Sequence, residues 1–409
     1  MGPLDRYRSV LGDEEIETIR QLAHPLAGAV VQHVNSTAKG GGVAEILGGL
    51  VPLMRDAGME VDWDVMEGDA RFFAVTKAIH NALHGVPAEV TGEMVQVFEE
   101  VTAKNLGLVR RDADFVTIHD PQPVGLVRAR DRGRARWLWR CHIDLSDADP
   151  RVWALLRDDV ERFDAAVFHL ADYAQALSIP QFMIMPAIDA FSEKNVELPP
   201  EEVRSVLERF GIDPRRPVVL QVSRFDRLKD PLGVVRAYQL ARTWHDCQLV
   251  LAGGGASDDP EGERVLQEVV EAVGGDPDIH VLSLPPESHR TINALQRGAT
   301  VIVQKSLREG FGLVVTEAMW KGKPVVGGAV GGIRRQIIHG TTGFLVHSVE
   351  GTAFRIRQIL TNPGLAHRLG ESAQQYVRGS FLLPAYLKQW ILALLAARHG
   401  GRGVSYLER

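Results

Sequence analysis

Short apolar runs alternate with amphipathic, helix-period stretches along almost the whole chain. AVVQHV (29–34) reads as a buried strand, GGGVAEILGGLVPLMRDAG turns through glycines into an amphipathic helix, and MEVDWDVM alternates as a second strand. A strand–helix–strand unit of this length returns the chain in the same direction, which implies a parallel sheet. The pattern recurs at DFVTIHDP (114–121), ARWLWRCHIDLS (135–146) and AAVFHL (165–170). Near residue 190 the rhythm stops. PAIDAFSEKNVELPPEEV is polar, holds two adjacent prolines and has no period, which predicts an inter-domain linker. Alternation then restarts: RPVVLQVSRF, CQLVLAGGG, DIHVLSL, ATVIVQKS and KPVVGGAVGG read as strands, and DPLGVVRAYQLARTW as a helix. The stretch from PGLAHRLGE to LLAARHGG is helical in period, with a break near Pro384. The expected fold class is α/β, with two doubly wound Rossmann-like domains facing a central cleft.

Composition narrows the function. The 409 residues suffice for two domains with ample cores. A net charge of −6 argues against a nucleic-acid partner, which calls for a basic excess. The longest apolar runs are too short to span a bilayer, and the first twenty residues lack the apolar core of a secretory signal. A cytoplasmic enzyme with no membrane partner is expected. Cys141 and Cys247, the only cysteines, each lie in a strand-like run and read as buried, reduced thiols.

The candidate chemistry gathers in a few loops. In SLREGFGLVVTEAMWKGKPVVG (306–327), Glu309 and Glu317 flank Gly310, Phe311 and Gly312. A helix opening near Gly312 offers free backbone N–H groups and a partial positive charge, so a diphosphate fits at Gly312 and Leu313. A carboxylate cannot neutralise phosphate, but it accepts hydrogen bonds from vicinal hydroxyls. A diphosphate with a polyol at each end, as in a nucleotide sugar, satisfies both demands; the plain alternative is a capped helix with solvated acids. VSRFDRLKD places Arg224 and Lys229 after a strand, where two cations suit a departing diphosphate or pair with Asp226 and Asp230. In the first half, HVNSTAKGGGVAEIL sets three glycines between strand and helix without the full G-x-G-x-x-G spacing. TIHDPQP ends a strand with His119 and Asp120, and WRCHIDLS ends another with His142 and Asp144. A carboxylate there can orient an acceptor hydroxyl. His119 reads as a satisfied interior histidine. Asp258, Asp259 and Glu261 in GGGASDDPEG have the oxygen chemistry of a Mg²⁺ site, but loop acids after a strand are ordinarily solvated, and no metal site is expected.

Arg224, Lys229 and the Glu309…Glu317 pair resemble the donor site of the GT-B, family 4 retaining glycosyltransferases. The resemblance implies that Arg224 and Lys229 grip the donor diphosphate, that Glu309 contacts the hexose, and that Glu317 holds the ribose. It makes Gly41 and Gly42 a backbone floor beside the donor phosphates and the acceptor, and it favours a functional His142 on the donor hexose. HNALHG, SEKNVEL and TEAMWKGKPVVGGAVGGIRRQIIHG, with Arg334 and Arg335 where most family members carry Pro-Glu, resemble the trehalose glycosyltransferring synthases from about residue 28 onward. That implies joining a nucleoside-diphosphate glucose (UDP-, ADP- or GDP-) to free glucose as α,α-trehalose. It also implies no obligatory cofactor, with Mg²⁺ as a counter-ion of the nucleotide that can stimulate the reaction. The expected domains are 1–190 for the acceptor, 191–375 for the nucleotide sugar, and 376–409 as helices that pack back on the first domain. Oligomeric state stays open, a homodimer included.

The expected catalytic set is Arg224, Lys229, Glu309, His142 and Asp120. Front-face attack is expected, a departing phosphate oxygen taking the acceptor's proton, because the resemblance places no acid under the anomeric carbon. Closure of the domains is expected to exclude water. The alternatives are a retaining trehalose phosphorylase, another family 4 transferase with a different acceptor, a nucleotide-sugar epimerase, and a non-catalytic sensor.

Overall fold

The computed structural model describes residues 2–38, 41–86, 89–130, 134–254, 260–400 and 404–406. The chain divides into two compact units, one of Met1–Ala187 with Leu383–Arg409 and one of Ile188–Leu382.

The first unit holds strands β1 (Val30–Asn35), β2 (Glu60–Val65), β3 (Phe115–His119), β4 (Arg136–Arg140), β5 (Ala165–Phe168) and β6 (Gln181–Met183). The second holds β7 (Val218–Val222), β8 (Gln248–Gly253), β9 (Ile279–Ser283), β10 (Val301–Gln304), β11 (Val325–Gly328) and β12 (Gly343–Val346). β13 (Val404–Tyr406) returns to the first sheet. Among the described residues the sheet orders are β13-β6-β5-β4-β3-β1-β2 and β12-β11-β10-β7-β8-β9, and every pairing is parallel. Helices cover both faces of such sheets, so the central strands read as continuous apolar runs. β3, β5, β7 and β8 are buried at every position.

The expected linker is not loose. Asn195 Nδ2 donates to Asp189 O at 2.9 Å, and Asn293 Nδ2 ties down Glu193 O and Val196 O at 2.9 and 2.8 Å. The segment therefore belongs to the second unit. The expected boundary at 376 falls inside the Pro363–Ser380 helix, which packs on the Leu313–Trp320 helix of that unit. The chain returns to the first unit at Leu383, where a new helix, Leu383–Arg398, places Pro384 in its first turn. This helix buries Leu387, Trp390, Ile391 and Leu394, and Lys388 Nζ donates to Glu15 Oε1 at 2.5 Å.

Both thiols are free and buried. No described helix is long and apolar enough to cross a membrane. Asp258 and Asp259, weighed above as Mg²⁺ ligands, lie outside the described residues.

Candidate functional site

In the second unit, two loops at the carboxyl ends of β7 and β10 are laced together. Leu307 N donates to Leu228 O at 2.7 Å. Lys229 Nζ donates to both carboxylate oxygens of Glu309, at 2.8 and 2.7 Å, and Ser306 Oγ adds a bond to Oε2 at 3.1 Å. The next residue, Asp230, pairs with Lys305. Neighbours on one loop thus form two crossed ion pairs with the other. Asp230 also caps the Pro231–Arg242 helix, accepting from Gly233 N at 3.0 Å. Lys229 therefore does not pair with Asp230, as the surface-cation alternative required, whereas Arg224 does reach Asp226, at 3.2 Å. Arg224 is 60% exposed and Lys229 only 17%.

Gly312 precedes the Leu313–Trp320 helix with φ of 86°, a left-handed conformation that suits glycine. A side chain there would come within 3.1 Å of Glu309 Cγ. Leu313 is the first helical residue, and Glu317 lies about one turn inside, almost fully buried. Lys321 Nζ donates to Glu317 O at 3.1 Å and Asn195 Oδ1 at 3.0 Å, and burial brings its ammonium down to about 7. The second unit thus unites Lys229, Glu309, Gly312 and Leu313 at one pair of strand ends, with Glu317 behind them.

In the first unit, Gly41 has φ of 81° and caps the Gly42–Asp56 helix, of which Gly42 is the first residue. Asp120 follows β3 with φ of 68°; it and Asp230, at 49°, are the non-glycine residues of positive φ among those described. Strained backbone of this kind concentrates at functional sites, and here one instance directly follows β3 and the other caps the helix beside Lys229. Asp120 Oδ1 accepts from His142 N at 2.7 Å, and Asp120 O accepts from Trp139 Nε1 at 3.1 Å. Burial pushes the Asp120 carboxyl up to about 7, against the His142 N–H bond and the nearby Arg140 charge. The Arg140 side chain is fully buried, and its three nitrogens have no hydrogen-bond partner among the described residues.

Three imidazoles form a line. His33 Nδ1 lies 3.0 Å from His119 Nε2, and His119 Nδ1 lies 3.0 Å from His142 Nε2. His33 and His119 are buried, and His142 is a half-buried residue. Burial holds all three below the ordinary imidazole range, His33 at about 4, with Arg140 adding to the effect at His119 and His142. His119 is thus the satisfied interior histidine expected from the sequence, with both ring nitrogens partnered by other imidazoles. The sequence does not single out His33 or Lys305, polar residues in or just after a strand and a weak signal without the strand order, and it offers Asp230 only as a partner of Lys229.

The buried imidazoles set a pH dependence. Between the native value near 4 for His33 and the ordinary 6.5, the unfolded chain binds protons that the native imidazoles refuse. Asp120 acts oppositely between 3.8 and about 7, where the native carboxyl holds a proton that the unfolded one loses. Three imidazoles outweigh one carboxyl, so stability falls as pH drops below about 6.5. Thermal melts from pH 7.5 to 5.5 should show a falling Tm; a Tm that rises over this interval would contradict the arrangement.

Residues 33–175 match the family model described as trehalose synthase, N-terminal domain, and residues 204–376 match glycosyl transferases group 1. A trehalose synthase of Thermococcus litoralis is 44% identical over 394 residues, covering 95% of each chain. A trehalose phosphorylase of Pleurotus pulmonarius is 27% identical, over 97% of this chain and 61% of its own length. A Burkholderia xenovorans α,α-trehalose-phosphate synthase (UDP-forming), solved with glucose-6-phosphate, is 15% identical and matches 90% of this chain and 100% of its own with a TM-score of 0.70. At that identity the likeness shows the fold, the GT-B class expected from the sequence.

Proposed function

The chain belongs to the trehalose synthase family of glycosyltransferases, and from that premise we propose that it moves glucose from a nucleoside-diphosphate glucose to free glucose, giving α,α-trehalose and the nucleoside diphosphate with retention at the donor carbon. The observation that carries the reading is the Lys229–Glu309 pair beside the helix opening at Gly312. A cation and free N–H groups suit the diphosphate, and the carboxylate beside them suits sugar hydroxyls.

The glucosyl–phosphate bond breaks with oxocarbenium character. Arg224, Lys229 and the N–H groups at Gly312 and Leu313 stabilise the charge that builds on the departing diphosphate. Glu309 binds the hexose and Glu317 the ribose diol. Asp120 and the backbone at Gly41 orient the incoming glucose, with Gly42 beside the phosphates and His142 on the donor hexose. The anomeric oxygen of the acceptor attacks from the leaving-group face, and its proton passes to a diphosphate oxygen. Mg²⁺ serves only as a counter-ion of the nucleotide.

The similarity to a trehalose phosphorylase favours a second reading in which inorganic phosphate takes the nucleotide's place. The reverse reaction separates them. Trehalose with nucleoside diphosphate should release glucose and a nucleotide sugar, and trehalose with phosphate should give nothing. Glucose 1-phosphate from the phosphate reaction would replace the first reading with the second.

A further inference from the structure

We infer that His33 and His119 act as positioning residues that fix the tautomer of His142, so that its Nδ1 carries the proton and faces the sugar as a hydrogen-bond donor. This rests on the reading of His142 as a sugar ligand.

Each contact in the imidazole line joins an Nδ1 to an Nε2, at 3.0 Å in both cases. A neutral imidazole has one N–H and one lone pair, so the three rings must share one sense. In one sense His33 Nδ1–H donates to His119 Nε2, His119 Nδ1–H donates to His142 Nε2, and His142 is left with Nδ1–H. In the other sense His142 donates through Nε2, His119 donates through Nε2, and His33 ends the line with an Nε2–H. That last atom is buried and has no hydrogen-bond partner among the described residues. An orphaned buried N–H is rarer in folded proteins than an unused acceptor. The indole of Trp390 stands edge-on to His33, with ring centroids 5.8 Å apart, and its buried Nε1 likewise lacks a partner. Indole can only donate, so an Nε2–H on His33 would add a second orphaned buried donor beside it. The first sense is favoured on both counts.

The surroundings keep the rings neutral, as the line requires. Arg140, His169 and Asp120 are the charged or titratable groups acting on it, and the Arg140 charge opposes protonation of His119 and His142. The His142 backbone is held by its N–H bond to Asp120 Oδ1 at 2.7 Å. Backbone and ring are therefore fixed independently, one by the strained aspartate and one by the buried histidines. A metal-site second shell fixes a histidine's tautomer by the same logic.

Two-bond ¹H–¹⁵N correlation spectra of the full chain carrying ¹⁵N-histidine test this directly. His142 is assigned with His142→Phe and recorded at pH 7.5. The expected spectrum shows His142 protonated at Nδ1 and bare at Nε2, and in His119→Phe this preference disappears. Protonation at Nε2 in the parent protein would overturn the inference without any variant having to fold, and so would an unchanged tautomer in His119→Phe. In kinetics, His119→Phe should raise the KM for the nucleotide sugar about tenfold, the size of a lost net hydrogen bond. The same change should cost nothing further in a His142→Phe background, whereas independent, multiplying losses would count against the coupling. An Nδ1–H His142 whose replacement leaves sugar kinetics untouched would instead remove His142 from the sugar site while leaving the tautomer assignment intact.

Discussion

Replacing Lys229 with alanine lowers kcat by about 10²- to 10³-fold, the loss seen when one preorganised donor to a developing oxyanion is removed. Lys229 stands in the loop that follows β7, half-buried, where an ammonium is worth more than in bulk water. Its effect is largest in the transition state, because the diphosphate gains charge as the glucosyl bond breaks. The change also takes from Glu309, whose side chain is 10% exposed, the ammonium that donates to both of its carboxylate oxygens. Lys229 holds that carboxylate in place through both oxygens, so the hexose contact suffers too. The double variant Lys229→Ala, Glu309→Ala should therefore lose less than the product of the single losses. Steady-state kinetics at saturating donor supply the test, and near-normal turnover in Lys229→Ala would remove it from the diphosphate site.

Glu317→Ala has the second largest expected effect, of a different kind. The ribose is remote from the reacting bond and makes the same contacts before and during the reaction, so its loss raises the donor KM and leaves kcat nearly unchanged. Hydrogen bonds to a charged group contribute about 1.5–3 kcal/mol each, which sets the KM rise at about 10- to 100-fold for one such bond. Glu317→Gln keeps the shape and weakens the bonds, so its KM should lie between the two. The helix is anchored by the buried Val315, Ala318 and Met319, so it should survive either change. An unchanged KM in Glu317→Ala would take the residue out of the ribose site.

The alternating pattern carried most of the fold because parallel strands buried on both faces leave a strong apolar signature. β6, β12 and β13, three or four residues long, escaped it. The polar stretch after residue 190 misled because its hydrogen bonds run to Asn293 and Arg297, a hundred positions away. That Lys229 and Glu309 gather beside Gly312 was legible because the cation and the acid each follow a strand of one sheet and the acid adjoins a glycine turn. The crossed partner of that pair, Asp230 with Lys305, was not, since nothing local tells which acid faces which base. The histidine line was hidden for a related reason. Placing His33, His119 and His142 together requires the order β4-β3-β1, which long-range pairing decides and no short stretch encodes.

Product identity is the most direct test of the central claim. The protein is incubated with glucose and, in turn, UDP-, ADP- and GDP-glucose, and the products are identified by NMR. The account predicts one symmetric α,α-1,1 disaccharide, with nucleoside diphosphate released in equal amount, from at least one donor. Nucleotide release without that disaccharide would contradict the acceptor assignment, and no turnover of any donor would contradict the claim itself.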